Sequence, residues 1–86
     1  MWNLIVSPEA QKQISKLDKP VAKTVSKYLR ELRQLDDPTA RGKALAGTLS
    51  GLWRYRVGDL RIVCKLTHGK LEILALAVGR RDSIYH

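Results

Sequence analysis

Leu52-Trp53-Arg54-Tyr55-Arg56-Val57-Gly58-Asp59-Leu60-Arg61-Ile62-Val63-Cys64-Lys65-Leu66 is the stretch that decides the fold. Two runs of strand length flank a Gly-Asp pair, which predicts a β-hairpin turning at Gly58-Asp59. A second turn at His68-Gly69 leads into Leu71-Glu72-Ile73-Leu74-Ala75-Leu76-Ala77-Val78, so the region reads as a meander of three antiparallel strands. Side chains alternate across a strand. Parity puts Arg54 and Arg56 on one face of the first strand and Trp53 and Tyr55 on the other, as core. In the second strand Leu60, Ile62, Cys64 and Leu66 share a face, and Arg61, Val63 and Lys65 share the opposite one. The apolar face must pack on something. The arginine face is free to meet a partner, and Gly79-Arg80-Arg81-Asp82-Ser83-Ile84-Tyr85 follows directly after the third strand.

Upstream lies the material to cover the apolar face. Trp2-Asn3-Leu4-Ile5-Val6 is a short segment of strand formers. Ser7 is placed to cap a helix that takes Pro8 at its first position, where a missing N–H costs nothing. Ala10, Ile14 and Leu17 fall at helical spacing in that helix. Asp18 is a cap candidate for a second helix with Pro20 in its first turn. There, Val21, Val25, Tyr28, Leu29, Leu32 and Leu35 form an apolar stripe, opposite Lys23, Lys27, Arg30, Arg33 and Gln34. Pro38 predicts an end at Asp36-Asp37. Thr39 to Gly51 reads as a loop pinned by Leu45 and Leu49. The order strand, helix, helix, strand, strand, strand predicts an α+β sandwich. Its antiparallel sheet joins the N-terminal strand to the C-terminal meander and packs on the helical hairpin.

At 86 residues the chain predicts a single domain, 1–86. A chain of this size buries about 60–65% of its unfolded surface, which leaves one thin core. Sixteen Lys and Arg against eight Asp and Glu give a formal net charge of +8. Such an excess serves either solubility or a polyanionic partner, nucleic acid or acidic protein. Cys64 has no partner for a disulfide, and His68 and His86 lack metal-ligand spacing. No signal peptide or membrane span is visible, so a soluble, cytoplasmic, metal-free protein is expected.

With these elements in place, the chain resembles the RelE/ParE superfamily of small bacterial toxins. The resemblance covers nearly the whole chain. It rests on length, element order, Lys43-Ala44-Leu45, the hairpin Leu52 to Ile62 and the ending Val78-Gly79-Arg80-Arg81-Asp82-Ser83-Ile84-Tyr85. RelE-like members are ribosome-dependent mRNA endonucleases and ParE-like members inhibit DNA gyrase. The RelE-like branch carries a basic pair on the first meander strand, an arginine on the second, and an arginine and a tyrosine after the third. Arg54 and Arg56, Arg61, Arg81 and Tyr85 match those positions. The basic pair is often lysine in the best-known RelE branch, and many relatives have histidine where this chain has Arg80.

The resemblance implies a type II toxin–antitoxin toxin that cleaves mRNA in the ribosomal A site without metal or cofactor. The RNA's own 2′-hydroxyl is then the nucleophile, and a cognate antitoxin with an acidic segment is the neutralising partner. Arg61 and Arg81 are expected to stabilise the phosphorane, since a guanidinium grips phosphate oxygens bidentately. Tyr85 is expected to stack on a base or orient the 2′-hydroxyl. Arg54 and Arg56 match positions assigned to proton abstraction and backbone binding. An arginine is a poor general base, so Arg54 is expected to act electrostatically. Arg41, Lys43, Lys65 and Arg80 are the expected RNA-binding residues. Bland readings stand beside these: Arg61 as a turn ion pair with Asp59, Arg80 and Arg81 as antitoxin contacts, and Tyr85 as a frayed end. The competing functions are a ParE-like gyrase inhibitor and a non-catalytic module that binds ribosomal RNA.

Overall fold

A computed structural model of the chain describes residues 1–80. The chain runs β1 (Asn3–Val6), α1 (Pro8–Ser15), α2 (Lys19–Leu32), β2 (Lys43–Ala44), β3 (Leu52–Val57), β4 (Leu60–Thr67) and β5 (Glu72–Arg80). The strands form one sheet in the order β1-β5-β4-β3-β2. The helical hairpin covers one face; on the other, among the described residues, Arg56 and Lys65 are exposed and Val63 is buried. No helix among the described residues is long and apolar enough to cross a membrane.

The α+β architecture and the meander are as the sequence predicts, with two corrections. β1 pairs with β5 in parallel, so the sheet is mixed where an antiparallel one is expected. Composition and alternation identify a strand but carry no sign of its direction. The segment Thr39 to Gly51 is also more than a loop. It holds 3-10 turns at Pro38–Arg41 and Gly47–Leu49, and between them β2 pairs antiparallel with β3. The Leu45 N–H donates to the Leu52 carbonyl at 3.0 Å, extending that pairing.

Ser7 ends β1 and starts α1. Its hydroxyl accepts from the Ala10 N–H at 3.1 Å and donates to the Leu76 carbonyl at 3.2 Å. Asp18 sits at the N-cap of α2, but its carboxylate makes no capping bond. α2 stops at Leu32, four residues short of the expected end. The reason is Trp2. Its N–H donates to the Arg33 carbonyl at 2.8 Å and its indole to the Asp36 carbonyl at 3.3 Å. Arg33 Nε returns a bond to the Trp2 carbonyl at 3.1 Å. These bonds turn the chain after Leu32 toward the N-terminus.

Val25, Leu29 and Leu32 of α2 and Ala10 of α1 meet Tyr55, Leu60, Ile62, Cys64, Ile73, Ala75 and Val78 in the core. Each of the large aliphatic side chains contributes about 1.5–3 kcal/mol of burial. Val21, on the same stripe, lies in the first turn of α2 and stays exposed.

One irregularity controls which residues of β5 face where. Val63 pairs with Ala77 but Cys64 with Ala75, so Leu76 is an extra residue opposite that step. Such a bulge reverses the alternation beyond it. Ile73 and Ala75 face the helices before it, and Val78 after it. The Val78 N–H, beyond the reach of β1, donates to Gln13 Oε1 of α1 at 2.6 Å.

Candidate functional site

The open face is assembled by the β3–β4 turn. Gly58 adopts φ +60°, the positive dihedral that a two-residue hairpin needs at its first central position. This pairs Val57 with Leu60 and fixes the register beyond. Arg56 then lies directly opposite Arg61, and Arg54 opposite Val63. On the other side of β3, Lys43 lies directly opposite Arg54. Lys43, Arg54, Arg56 and Arg61 therefore share one end of one face. Lys65, opposite Leu52, is on the same face but further along β4.

Among the described residues this end is poorly neutralised. Like charges placed directly opposite in a ladder destabilise it, and Arg56 and Arg61 are so placed. Arg56 Nε reaches only the Gly58 carbonyl at 3.4 Å, and an Arg61 terminal nitrogen only the Leu60 carbonyl at 3.5 Å. Both are longer than a good N–H···O bond. Arg61 Nε is buried with no acceptor among the described residues. The described ion pairs are Arg41–Glu31 at 3.9 Å and Arg80–Asp59 at 3.2 Å, and neither involves this face. The Glu72 carboxylate is on the open face but pairs across from Thr67, six residues along β4 from Arg61 and about 20 Å away. A cluster of under-used guanidinium donors, with no described carboxylate facing it, has the chemistry to receive phosphate oxygens.

The remaining site residues of the sequence reading fall elsewhere. Arg80 pairs across from Leu60, a core residue, and so lies on the helix side of the sheet. It borders a recess with Lys16, Leu17, Asp18, Val21 and Asp59. Asp59 pairs with Arg80, not with Arg61, so the alternative reading of Arg61 as a turn ion pair does not hold. Arg41 turns toward α2, where it meets Glu31 and stands 5.9 Å from the Tyr28 ring centre. Trp53 and Tyr55 face the core as predicted; Tyr55 is fully buried and Trp53 partly. Arg81 and Tyr85 lie outside the described residues. No group of three His, Cys, Asp or Glu side chains converges among the described residues.

The sequence reading missed the strand that brings Lys43 to Arg54. Its support is local. A Cβ on Gly42 would stand 2.9 Å from the Tyr55 ring, so glycine is what lets β2 close onto β3. The Tyr55 hydroxyl donates to the Pro38 carbonyl at 3.0 Å and ties down the preceding turn. Burial pushes the Tyr55 phenol well above its ordinary range, with smaller contributions from Cys64, Tyr28 and Asp37. Burial pushes the Cys64 thiol up to about 12. Both groups are inert in the core, behind the basic face.

Together these features define a small α+β protein with a helix-covered sheet face and a basic open one. The model of the ParE toxins of type II toxin–antitoxin systems matches residues 4–85. No curated protein sequence matches the chain. The toxin–antitoxin complex RelBE2 from Mycobacterium tuberculosis contains a chain of the same fold, with a TM-score of 0.83 at 21% identity, covering 93% of this chain and 91% of that one. The E. coli RelBE toxin–antitoxin complex gives 0.73 at 18% identity, over 93% and 96% of the two chains. The archaeal RelE–RelB complex from Pyrococcus horikoshii gives 0.73 at 20% identity, over 93% and 94%. The chain belongs to the ParE toxin family, within the RelE/ParE superfamily, and is a type II toxin.

Proposed function

We propose that this toxin is a ribosome-dependent endoribonuclease that cuts mRNA in the A site. The observation that carries the reading is the row Lys43, Arg54, Arg56 and Arg61 on an open sheet face with no described carboxylate against it. Such a face suits a phosphate backbone. In the proposed reaction the RNA 2′-oxygen attacks the adjacent phosphorus and the bond to the 5′-oxygen breaks. The products are a 2′,3′-cyclic phosphate and a 5′-hydroxyl. Arg61 and Arg81 stabilise charge on the phosphorane, Arg54 and Arg56 hold the backbone, and Tyr85 stacks on a base or orients the hydroxyl. Lys65 supplies further phosphate attraction. The ribosome is expected to position the message on this face.

The test is in vitro translation with purified protein, followed by mapping of mRNA ends. Cuts in the A-site codon on ribosomes, with little cleavage of free RNA, are expected. Equal rates on free and ribosome-bound message would remove the ribosome requirement. A second reading, inhibition of DNA gyrase without catalysis, is favoured by the ParE family model itself. Loss of supercoiling activity with message left intact would select it.

The same face, and a net charge of +8, fit a cognate antitoxin with an acidic segment that orders on binding. The neighbours of like fold include toxin–antitoxin complexes. Co-expression with the adjoining gene is expected to yield a tight complex inactive in translation. Recovery of free toxin alone, with undiminished toxicity, would argue against it.

A further inference from the structure

We propose that Lys43 is the group that takes the proton from the attacking 2′-hydroxyl. This rests on the endoribonuclease reading above. That reaction needs a proton acceptor beside the phosphate site, and a guanidinium does not give up its own proton to become one. Arg54, Arg56 and Arg61 are excluded on that ground.

The described groups that can exchange a proton are otherwise placed away from the site. Tyr55 and Cys64 are buried on the helix side of the sheet. Tyr28 is on α2, packed toward Tyr55. His68 stands edge-on to Trp2, 5.3 Å between ring centres, beyond the far end of β4. Asp59 is held by Arg80, and Glu72 is at the opposite end of the face. On this face of the sheet two lysines remain, and the register separates them. Lys43 is directly opposite Arg54. Cβ atoms so paired are about 5 Å apart, within easy reach of a lysine side chain. Lys65 is opposite Leu52 and Leu74, and Val63 lies between it and Arg61 along β4.

Lys43 is also well held at its backbone. Gly42 lies against the Tyr55 ring, and Leu45 bonds back to Leu52. The described charged groups around it are Arg54 and Arg56 on β3, Arg61 and Lys65 on β4, and Arg41 on the preceding turn, itself paired with Glu31. No described carboxylate pairs with Lys43. In the step, the neutral amine of Lys43 accepts the 2′-hydroxyl proton as the 2′-oxygen bonds to phosphorus. The departing 5′-oxygen takes a proton from water, and the lysine ammonium later returns its proton to solvent.

The experiment is single-turnover cleavage on programmed ribosomes at saturating toxin, from about pH 6 to 9. It uses wild type, Lys43→Arg, Lys65→Arg and His86→Ala, with ribosome binding and melting temperature measured for each. Wild type is expected to speed up by about tenfold per pH unit on the acid side. Lys43→Arg keeps the charge and is expected to fold and bind as wild type. Its cleavage is expected to fall by roughly 10²–10⁴-fold and to lose the pH slope. Cleavage by Lys43→Arg at the wild-type rate and slope overturns the assignment, as does loss of the slope in Lys65→Arg or His86→Ala instead. Wild type that leaves message intact refutes the endoribonuclease reading, and this inference with it. That outcome is distinct from a wild type that cleaves alongside an unimpaired Lys43→Arg.

Discussion

Replacing Arg61 with methionine is expected to stabilise the free protein while disabling it. The side chain keeps most of its aliphatic stem and loses the guanidinium. In the native sheet that guanidinium has a buried Nε without an acceptor and stands directly across from Arg56. An unmet buried donor costs about 1–3 kcal/mol, and the low end applies to a half-exposed side chain. Two cations about 7 Å apart at a wet surface repel by roughly 0.5 kcal/mol before salt screening. Arg61→Met is therefore expected to gain about 1 kcal/mol, a rise of about 4–8 °C in melting temperature for a domain of this size. If Arg61 stabilises the phosphorane, the same change slows single-turnover cleavage by roughly 10²–10³-fold. Added inorganic phosphate should raise the melting temperature of wild type more than that of the variant. The assay is thermal unfolding in low salt with and without phosphate, alongside cleavage on programmed ribosomes. A variant that melts below wild type would refute the reasoning, because the guanidinium would then be holding the fold together. A variant that cleaves normally while folded would move the phosphate site away from Arg61.

Three further outcomes follow from the packing. Gly42→Ala drives a methyl into the Tyr55 ring and is expected to cost about 1–3 kcal/mol in denaturant unfolding; an unchanged midpoint would show that β2 is loosely attached. Leu71, exposed at φ +48° and ψ +53°, is in the left-handed region, so Leu71→Gly is expected to raise stability by about 0.5–1 kcal/mol; a lower midpoint would contradict this. The Cys64 thiol is held up to about 12 against an ordinary 9.0. Between those pH values the unfolded chain loses a proton that the native chain keeps, so stability present below pH 9.0 is expected to fall as pH rises toward 12. Cys64→Ala should flatten part of that alkaline slope, and an identical slope in the variant would assign it wholly to other groups such as Tyr55.

The parts of this fold that were legible in the sequence are those set by repetition over many residues. The α2 stripe offers Val25, Leu29 and Leu32 at helical spacing, and all three are in the core. The hairpin is legible because Gly58-Asp59 sits between two alternating runs, and that one turn places Arg54, Arg56 and Arg61 on a common face. What escaped depends on single residues. The bulge at Leu76 reverses parity within β5. Counting from Ile73 and Ala75 without it sends Arg80 to the open face, whereas the structure sends it to the helix side with Asp59. β2 escaped because two residues are too few to show a period of two. Its only trace in the sequence is Gly42, whose missing side chain makes room for Tyr55, a partner thirteen residues on that no local pattern reveals. The consequence for the site is chemical. Read as a loop residue, Lys43 is one cation among sixteen Lys and Arg. Placed on β2 beside Arg54, it sets an amine next to a row of guanidinium groups.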